Sequence, residues 1–561
     1  MRFLPELHRM ALIYLAGGTV YDPAHGVAGE VRDLWVEGGK IVAPPTDPTT
    51  PVRRFDLTGM VVMPGGIDMH AHIAGPKVNV ARKLRPEDRR DHAPMRRTPL
   101  TRSGTLGSTP TTFATGYLYA GLGYTTVFDA AIPPLGARHT HEEFHDTPVI
   151  DKGFYVLVGN NHYVMDRVAA GEHEQLRNFL GHLLHATRGY ALKVVNPGGV
   201  EVWKQGANLA KSGMTGFDDL VPRFNVTPRQ IVREIALCAD EMKLPHAMHV
   251  HCNGLGMPGN WATTLETMRA VEGSRAHFTH VQFHSYGGTP DDQAAMRSEV
   301  PALADYVNAH ANLTVDVGQV MFGETTSMTG DGPLGYFLHK VTGRKWFNGE
   351  TECEGGCGIV PITYSEKSFV NALQWAIGLE WYLLVRDPWR VAMSTDHPNG
   401  GSFVAYPEII ALLMSRDYRR EVLKRLPAKL AERCTLPDLD REYTLSEIAI
   451  ITRAGPARML GLTHKGHLGV GADADITVYT PEVDRRAMFE LPRYVFKAGT
   501  LVVERGEIRL APYGPTLCVE PGYDEAAVPH VRDWFERNYS IRFNNFPVTD
   551  DYHPHGLVVQ R

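Results

Sequence analysis

Two histidines one residue apart, His70 and His72, close the apolar run VVMPGGIDMHAH. On a β-strand residues i and i+2 face the same way, so the pair can converge on one ion. Similar pairs recur downstream: HVHC carries His249 and His251, THVQFH carries His280 and His284, and STDHP carries Asp396 and His397. Imidazole nitrogens and a carboxylate suit a borderline dication such as Zn²⁺, and a catalytic site leaves a coordination position open for water. Together these residues supply enough ligands for two ions. Lys193, at the end of YALKVV, fits such a set only if CO₂ carbamylates its amine, which turns a cation into a carboxylate able to bridge two metals. Taken singly, His249, His277 or His284 reads as a packed or hydrogen-bonded histidine.

Positioning these groups requires a repeated element. Between residues 55 and 400, β-branched or apolar runs alternate with helical composition: MVVMPGGIDMH, YTTVFDAAI, GFYVLVGN, YALKVVN, HAMHVHC, AHFTHVQF, LTVDVGQVMF and RVAMSTD are eight candidate strands. TPRQIVREIALCADEM predicts a helix with Thr227 as N-cap and Pro228 at its first position. Eight alternating strand and helix units imply a parallel sheet closed into a (β/α)₈ barrel, with the ligand candidates at the carboxyl ends of the strands where barrel active sites lie. An open doubly wound sheet is the alternative, and PGGIDMHAH is not its glycine-rich phosphate loop.

The 561 residues, 43% hydrophobic and 21% charged with net charge −6, describe a globular chain without a generally nucleic-acid-binding surface. Six scattered cysteines form neither a disulfide framework nor an iron–sulfur run, and CEGGC (353–357) offers only two thiols. No apolar run approaches a membrane span and no signal-peptide cleavage pattern is evident, so a soluble cytoplasmic protein is expected. Strand-like pieces with turns in 13–60 recur in GVGADADITVYTP and YVFKAGTLVVERGEI. The expected organisation is therefore an N-terminal β segment (1–60), the barrel (61–460), a C-terminal β segment (461–510) and a C-terminal arm (511–561). The two β segments are expected to pair into one small composite β-sandwich domain.

GGIDMHAH, the lysine of YALKVV, HVHCNG, THVQF and MSTDHP, in that order, resemble the amidohydrolase superfamily, and GADADITVY resembles its closing β segment. HIAGPKVNVAR, VVNPGGVEVWKQG, HVHCNGLGMPGN and HFTHVQFHSYGG are similar, more narrowly, to the A components of formylmethanofuran dehydrogenase and of the bacterial formyltransferase/hydrolase complex. The arginine- and alanine-rich texture of 411–460 leans towards the bacterial hydrolase of methylotrophs.

The resemblance implies two Zn²⁺ ions: His70 and His72 on one, His251 and His280 on the other, carbamylated Lys193 as the bridge, and Asp396 as the remaining ligand and proton acceptor. His251 is preferred to His249 because it lies nearer the strand end and precedes CNG; His249, His284 and His397 are expected to support the ligands. The implied substrate is a formylated methanofuran- or methylofuran-type carrier, hydrolysed to formate and free amine or formed in reverse, with the other proteins of the complex as partners. From Lys77 to Arg102 nine Lys or Arg face three acids. Arg82, Lys83 and Arg85 are therefore expected to dock an anionic carrier tail, with Lys77 and Asn79 nearer the formamide. A cyclic-amide hydrolase of the dihydropyrimidinase type and a metal-free scaffold protein within the complex are the alternative readings.

Overall fold

The computed structural model describes residues 12–47, 49–86, 108–205, 215–271, 273–290, 292–351 and 354–560. All eight expected strands are present and parallel: Gly66–Ala71, Tyr124–Ile132, Asp151–Leu157, Ala191–Val195, Met248–His251, Ala276–Phe278, Leu313–Asp316 and Val391–Ala392. Each pairs with the next in sequence, for example Ala71 with Asp129, Tyr155 with Ala191, His249 with Lys193 and Val315 with Val391. The ring closes where Ala71 bridges His397 and the His72 N–H donates to the His397 carbonyl at 2.7 Å. The barrel interior and its surround form one continuous apolar core that includes Phe128, Tyr155, Trp375 and Trp381.

The run VVMPGGIDMH divides between two sheets. Val61–Pro64 pair with the N-terminal strand at Thr19 and Val20 and with Ile476–Tyr479, whereas Gly66 begins the barrel. The crossing needs small residues, because a Cβ on Gly65 would lie 2.3 Å from Thr125 Oγ1 and one on Gly66 would lie 2.7 Å from the Tyr124 ring. The two flanking segments combine, as expected, into one nine-stranded hydrogen-bonded sheet around Leu15, Val20, Val62, Ile476, Val478 and Phe496.

The helix Pro228–Glu241 begins with the expected Thr227 cap, completed by Gln230 as a capping box, and buries Ile231, Val232, Ile235, Ala236 and Ala239 as a stripe. Two features have no counterpart in the sequence reading. A hairpin (Tyr286–Thr289, Asp292–Ser298) follows the sixth strand, and an antiparallel sheet (Gly323–Thr329, Phe347–Thr351, Glu354–Tyr364) with the helix Gly332–Thr342 separates strands seven and eight. The C-terminal segment is packed, with Val531, Phe535, Phe543 and Phe546 joining the main core. Among the described residues no helix is long and apolar enough to cross a membrane.

A buried ionic cluster fastens the flanking sheet to the barrel. Lys465 Nζ lies 2.5 Å from Asp151 and 2.9 Å from Asp475, and Lys497 Nζ lies 2.8 Å and 2.9 Å from the same carboxylates. Burial alone would raise the Asp475 carboxyl, but Lys465 and Lys497 hold it well below the usual range. Removing one member of such a cluster strands buried charge, which costs about 3–5 kcal/mol. Asp475→Ala is therefore expected to lower the unfolding free energy by about that amount in chemical denaturation; a loss below about 1 kcal/mol would contradict the fastening role.

Candidate metal centre

The carboxyl ends of strands one and eight bring His70, His72 and Asp396 together. Asp396 Oδ1 lies 3.0 Å from His70 Nε2 and 3.1 Å from His72 Nε2. Strands five and six contribute His251, His280 and His284, with ring centroids 4.5 Å (251–280), 5.1 Å (251–284) and 5.3 Å (280–284) apart. Within each trio the ligand-capable atoms lie within 4.8 Å of one another. Asp396 links the two, since its Oδ2 is 3.9 Å from His280 Nε2. Lys193, midway along strand four (Ala191–Val195), is buried with no hydrogen-bond partner for its Nζ.

Several other buried nitrogens of this cluster also lack hydrogen-bond partners: His70 Nε2, His72 Nδ1, His251 Nε2, His280 Nδ1 and both nitrogens of His284. Buried polar atoms are nearly always satisfied, so this many orphans in one place fit a group that uses imidazole lone pairs. Protonation agrees. Burial holds His251, His280 and His284 well below the usual imidazole range, so they stand neutral with free lone pairs. Burial would raise Asp396, but His280 and His70 outweigh it and keep the carboxylate ionised. Burial lowers the Lys193 amine to about 7 against the pull of Asp316 and Asp396.

The backbone at these strand ends is unusual for residues with side chains: His280 (φ 36°), Asp396 (φ 50°) and Asn196 (φ 42°) all adopt left-handed conformations. Such conformations cost about 1–3 kcal/mol each and cluster at functional sites. Asn399 Nδ2 donates to Asp396 Oδ1 at 2.9 Å, and its own N–H donates to the Asp396 carbonyl at 2.6 Å, which helps fix the aspartate.

Beneath the site a second layer orients His70. Its Nδ1 lies 2.9 Å from His249 Nε2 and 3.3 Å from Asp316 Oδ2. His249 Nδ1 in turn meets His246 Nε2 at 2.9 Å, and Asp316 receives His277 at 3.0 Å, Ser394 Oγ at 2.6 Å and the His280 N–H at 3.1 Å. His249 thus meets His70 through Nε2, in a third ligand-capable group with Asp316, and His246 through Nδ1, whereas His251 groups with His280 and His284. His397 supports the other side: its carbonyl holds the His72 N–H, and its Nδ1 accepts from the Phe403 N–H at 3.4 Å.

Asp316 and His246 have no counterpart in the sequence reading; His277 is hydrogen-bonded as a singly read histidine would be, and His284, expected to support the ligands, is itself placed within a ligand-capable group. Asp316 ends the seventh strand, and that position was the available signal. One further carboxyl enters from the insertion. Asp331 caps the helix Gly332–Thr342, and its Oδ2 lies 3.6 Å from His251 Nε2. With Asn196, Gly254, Leu255 and Met257 it lines a cavity of about 10 Å³, and burial pushes its carboxyl up to about 7.

The expected anion-docking residues are arranged differently. Lys77 is buried and donates to the Ala131 carbonyl at 2.6 Å, and Asn79 donates to Glu143 at 3.1 Å. The Arg82 guanidinium bonds Glu143 at 2.9 Å and Asn79 at 3.0 Å, and Arg85 pairs with Glu324 and the Thr325 carbonyl. These groups tie the helix Pro76–Leu84 to its surroundings, and only Lys83 is exposed. The remainder of the basic segment (87–107) and Cys353 of CEGGC lie outside the described residues.

The barrel, its flanking sheet and the strand-end histidines have the arrangement of the amidohydrolase class, and the sequence profile of the amidohydrolase family matches residues 53–503. The chain belongs to that family. It is 45% identical to protein FwdA of Methanocaldococcus jannaschii, with 96% of this chain and 97% of the relative covered. It is 38% identical to the A component of the formyltransferase/hydrolase complex Fhc of Methylorubrum extorquens, with 97% of each covered. The Methylorubrum extorquens FhcABCD complex, solved by X-ray crystallography with methylofuran, contains a chain that superposes with a TM-score of 0.91 at 36% identity, covering 98% of this chain and 100% of that one. Identity to the Methanocaldococcus protein exceeds that to the bacterial protein, the reverse of what the 411–460 texture suggested.

Gly318 sets the spacing between strands six and eight. At φ +68° its added Cβ would lie 2.4 Å from His280 Cβ and 3.5 Å from Asp396 Cβ. Gly318→Ala should cost about 1–3 kcal/mol from backbone strain alone and displace His280. Gly121→Ala, where nothing lies within 4 Å, is the control. Denaturation curves that match for the two variants would contradict this reading.

Proposed function

We propose that the chain is a binuclear, metal-dependent amidohydrolase that cleaves, or in reverse forms, the formamide of a methanofuran- or methylofuran-type formyl carrier. It would act as one protein of a larger cytoplasmic complex, with any redox step on another. The observation that carries the reading is the pair of ligand-capable trios joined by Asp396. The near-full-length similarity to the A component of Fhc, solved within a methylofuran complex, supplies the substrate class.

His70 and His72 would hold one ion and His251 and His280 the other, with His284 beside the second; nitrogen and oxygen donors favour zinc. Lys193 is suited to the bridge. Its amine, lowered to about 7 by burial, would be available in neutral form to bond CO₂ carbon, releasing a proton and leaving a carbamate that would offer oxygen donors. When bound, two dications supply a water whose pKa falls from 15.7 to about 7, together with polarisation of the formyl carbonyl. Asp396 Oδ1 is engaged by His70, His72 and Asn399, so Oδ2 is the freer oxygen. It would accept the proton of the attacking water and return it to the leaving amine, giving formate and the free carrier. His249 and Asp316 keep the His70 ring oriented throughout, and the second layer commonly tunes ligand basicity in this way.

The direct test is formate release from the formylated carrier compared with hydantoin ring opening. Turnover of the first alone supports the reading, and turnover of hydantoin alone would replace it with a cyclic-amide hydrolase. Asp396→Asn should lose about 10²–10⁴-fold in kcat, and a loss below tenfold would remove Asp396 as proton acceptor. Lys193→Ala should be inactive, with partial rescue by short carboxylic acids; near-normal unaided turnover would remove the bridge. Chelation should abolish activity and lower the melting temperature, since metal binding stabilises the folded chain. Unchanged turnover after complete metal removal would exclude the mechanism.

A further inference from the structure

Asp331 has no part in either trio, yet it is buried against the cluster. Its Oδ2 approaches His251 Nε2 at 3.6 Å without joining the His251, His280 and His284 set. It reaches the site from the insertion between strands seven and eight, at the first turn of the helix Gly332–Thr342. Capping does not explain a carboxyl there. The cap uses Oδ1 alone, on a long 3.4 Å contact from the Leu334 N–H, and serine or asparagine caps a helix equally well. Burying the second oxygen is costly unless something donates to it. The carboxyl meets two donors, the Asn196 side chain, itself fixed by Asn253 Nδ2 at 2.8 Å, and the Leu334 N–H.

We infer that Asp331 is a specificity-determining residue of the amide site, whose Oδ2 receives the N–H of a secondary formamide held against the cluster. The inference rests on the amidohydrolase reading above and extends it. Strand ends supply the groups that act on the carbonyl, and the insertion supplies an acceptor for the amide nitrogen. A substrate bearing an N–H satisfies that oxygen, whereas an N,N-disubstituted formamide leaves a buried acceptor unpaired and brings a methyl group against it. Sites built to hydrogen-bond a substrate N–H reject analogues lacking it far more strongly than apolar pockets reject a change of size.

The test compares N-furfurylformamide with its N-methyl derivative, using full-length protein in its native complex, and reads the ratio of kcat/KM values together with bound metal. The wild type should prefer the N–H substrate by about 100-fold or more. Asp331→Ser keeps the helix cap but withdraws the second oxygen, and it should shrink the preference by at least about tenfold with metal content unchanged. Asp331→Asn keeps the shape but presents an amide donor where the acceptor stood, so it should shrink the preference too and guards against a folding failure of the serine variant. An unchanged ratio in either active, metal-loaded variant overturns the inference. Loss of metal in both variants also overturns it, because Asp331 would then serve the cluster itself. A wild type that hydrolyses neither formamide overturns the amidohydrolase reading, and this inference with it.

Discussion

The structure depends on keeping one ionised carboxylate, Asp396, dry between two groups of buried imidazoles. A buried carboxylate is tolerated only with compensating partners, and here Oδ1 faces His70 and His72 at 3.0 and 3.1 Å while Oδ2 faces His280. The left-handed backbones of Asp396 and His280 and the close approach of Gly318 follow from bringing strands six and eight to the same point. The barrel supplies the convergence, because its parallel strands all end on one face.

Around that point the protein adds a second polar layer. His246, His249, Asp316 and His277 form a connected buried network that ends on His70 Nδ1 and leaves Nε2 directed at Asp396. Low dielectric strengthens such a network when every member is satisfied. At the opposite end of the barrel, Lys465 and Lys497 perform a structural version of the same task by neutralising Asp151 and Asp475 where the flanking sheet meets the third strand.

The eight strands and the flanking sheet were legible because alternating apolar runs and turn residues are local signals. His284 was less so. Read as a continued strand, HFTHVQFH sends His284 onward from His280, but the chain turns into a short 3-10 helix at Val281–His284 that folds the later ring back beside the earlier one. The insertion after strand seven was hidden inside what read as an ordinary connection, and Asp331 with it. Arg82 and Arg85 illustrate another limit. Their charge was legible, but their partners Glu143 and Glu324 lie 61 and 239 residues away in sequence, and only tertiary structure shows that these two arginines are paired within the protein.

The proposed function requires that the two trios, with Lys193 on strand four, be able to hold a pair of metal ions. Anomalous diffraction from crystals of the native protein, collected on both sides of the zinc absorption edge, tests this most directly. Two peaks are expected, one within coordination distance of His70 and His72 and one within coordination distance of His251 and His280, with electron density extending beyond Lys193 Nζ towards both. A single peak elsewhere in the molecule, or no peak with Lys193 ending as a bare amine, would contradict the account.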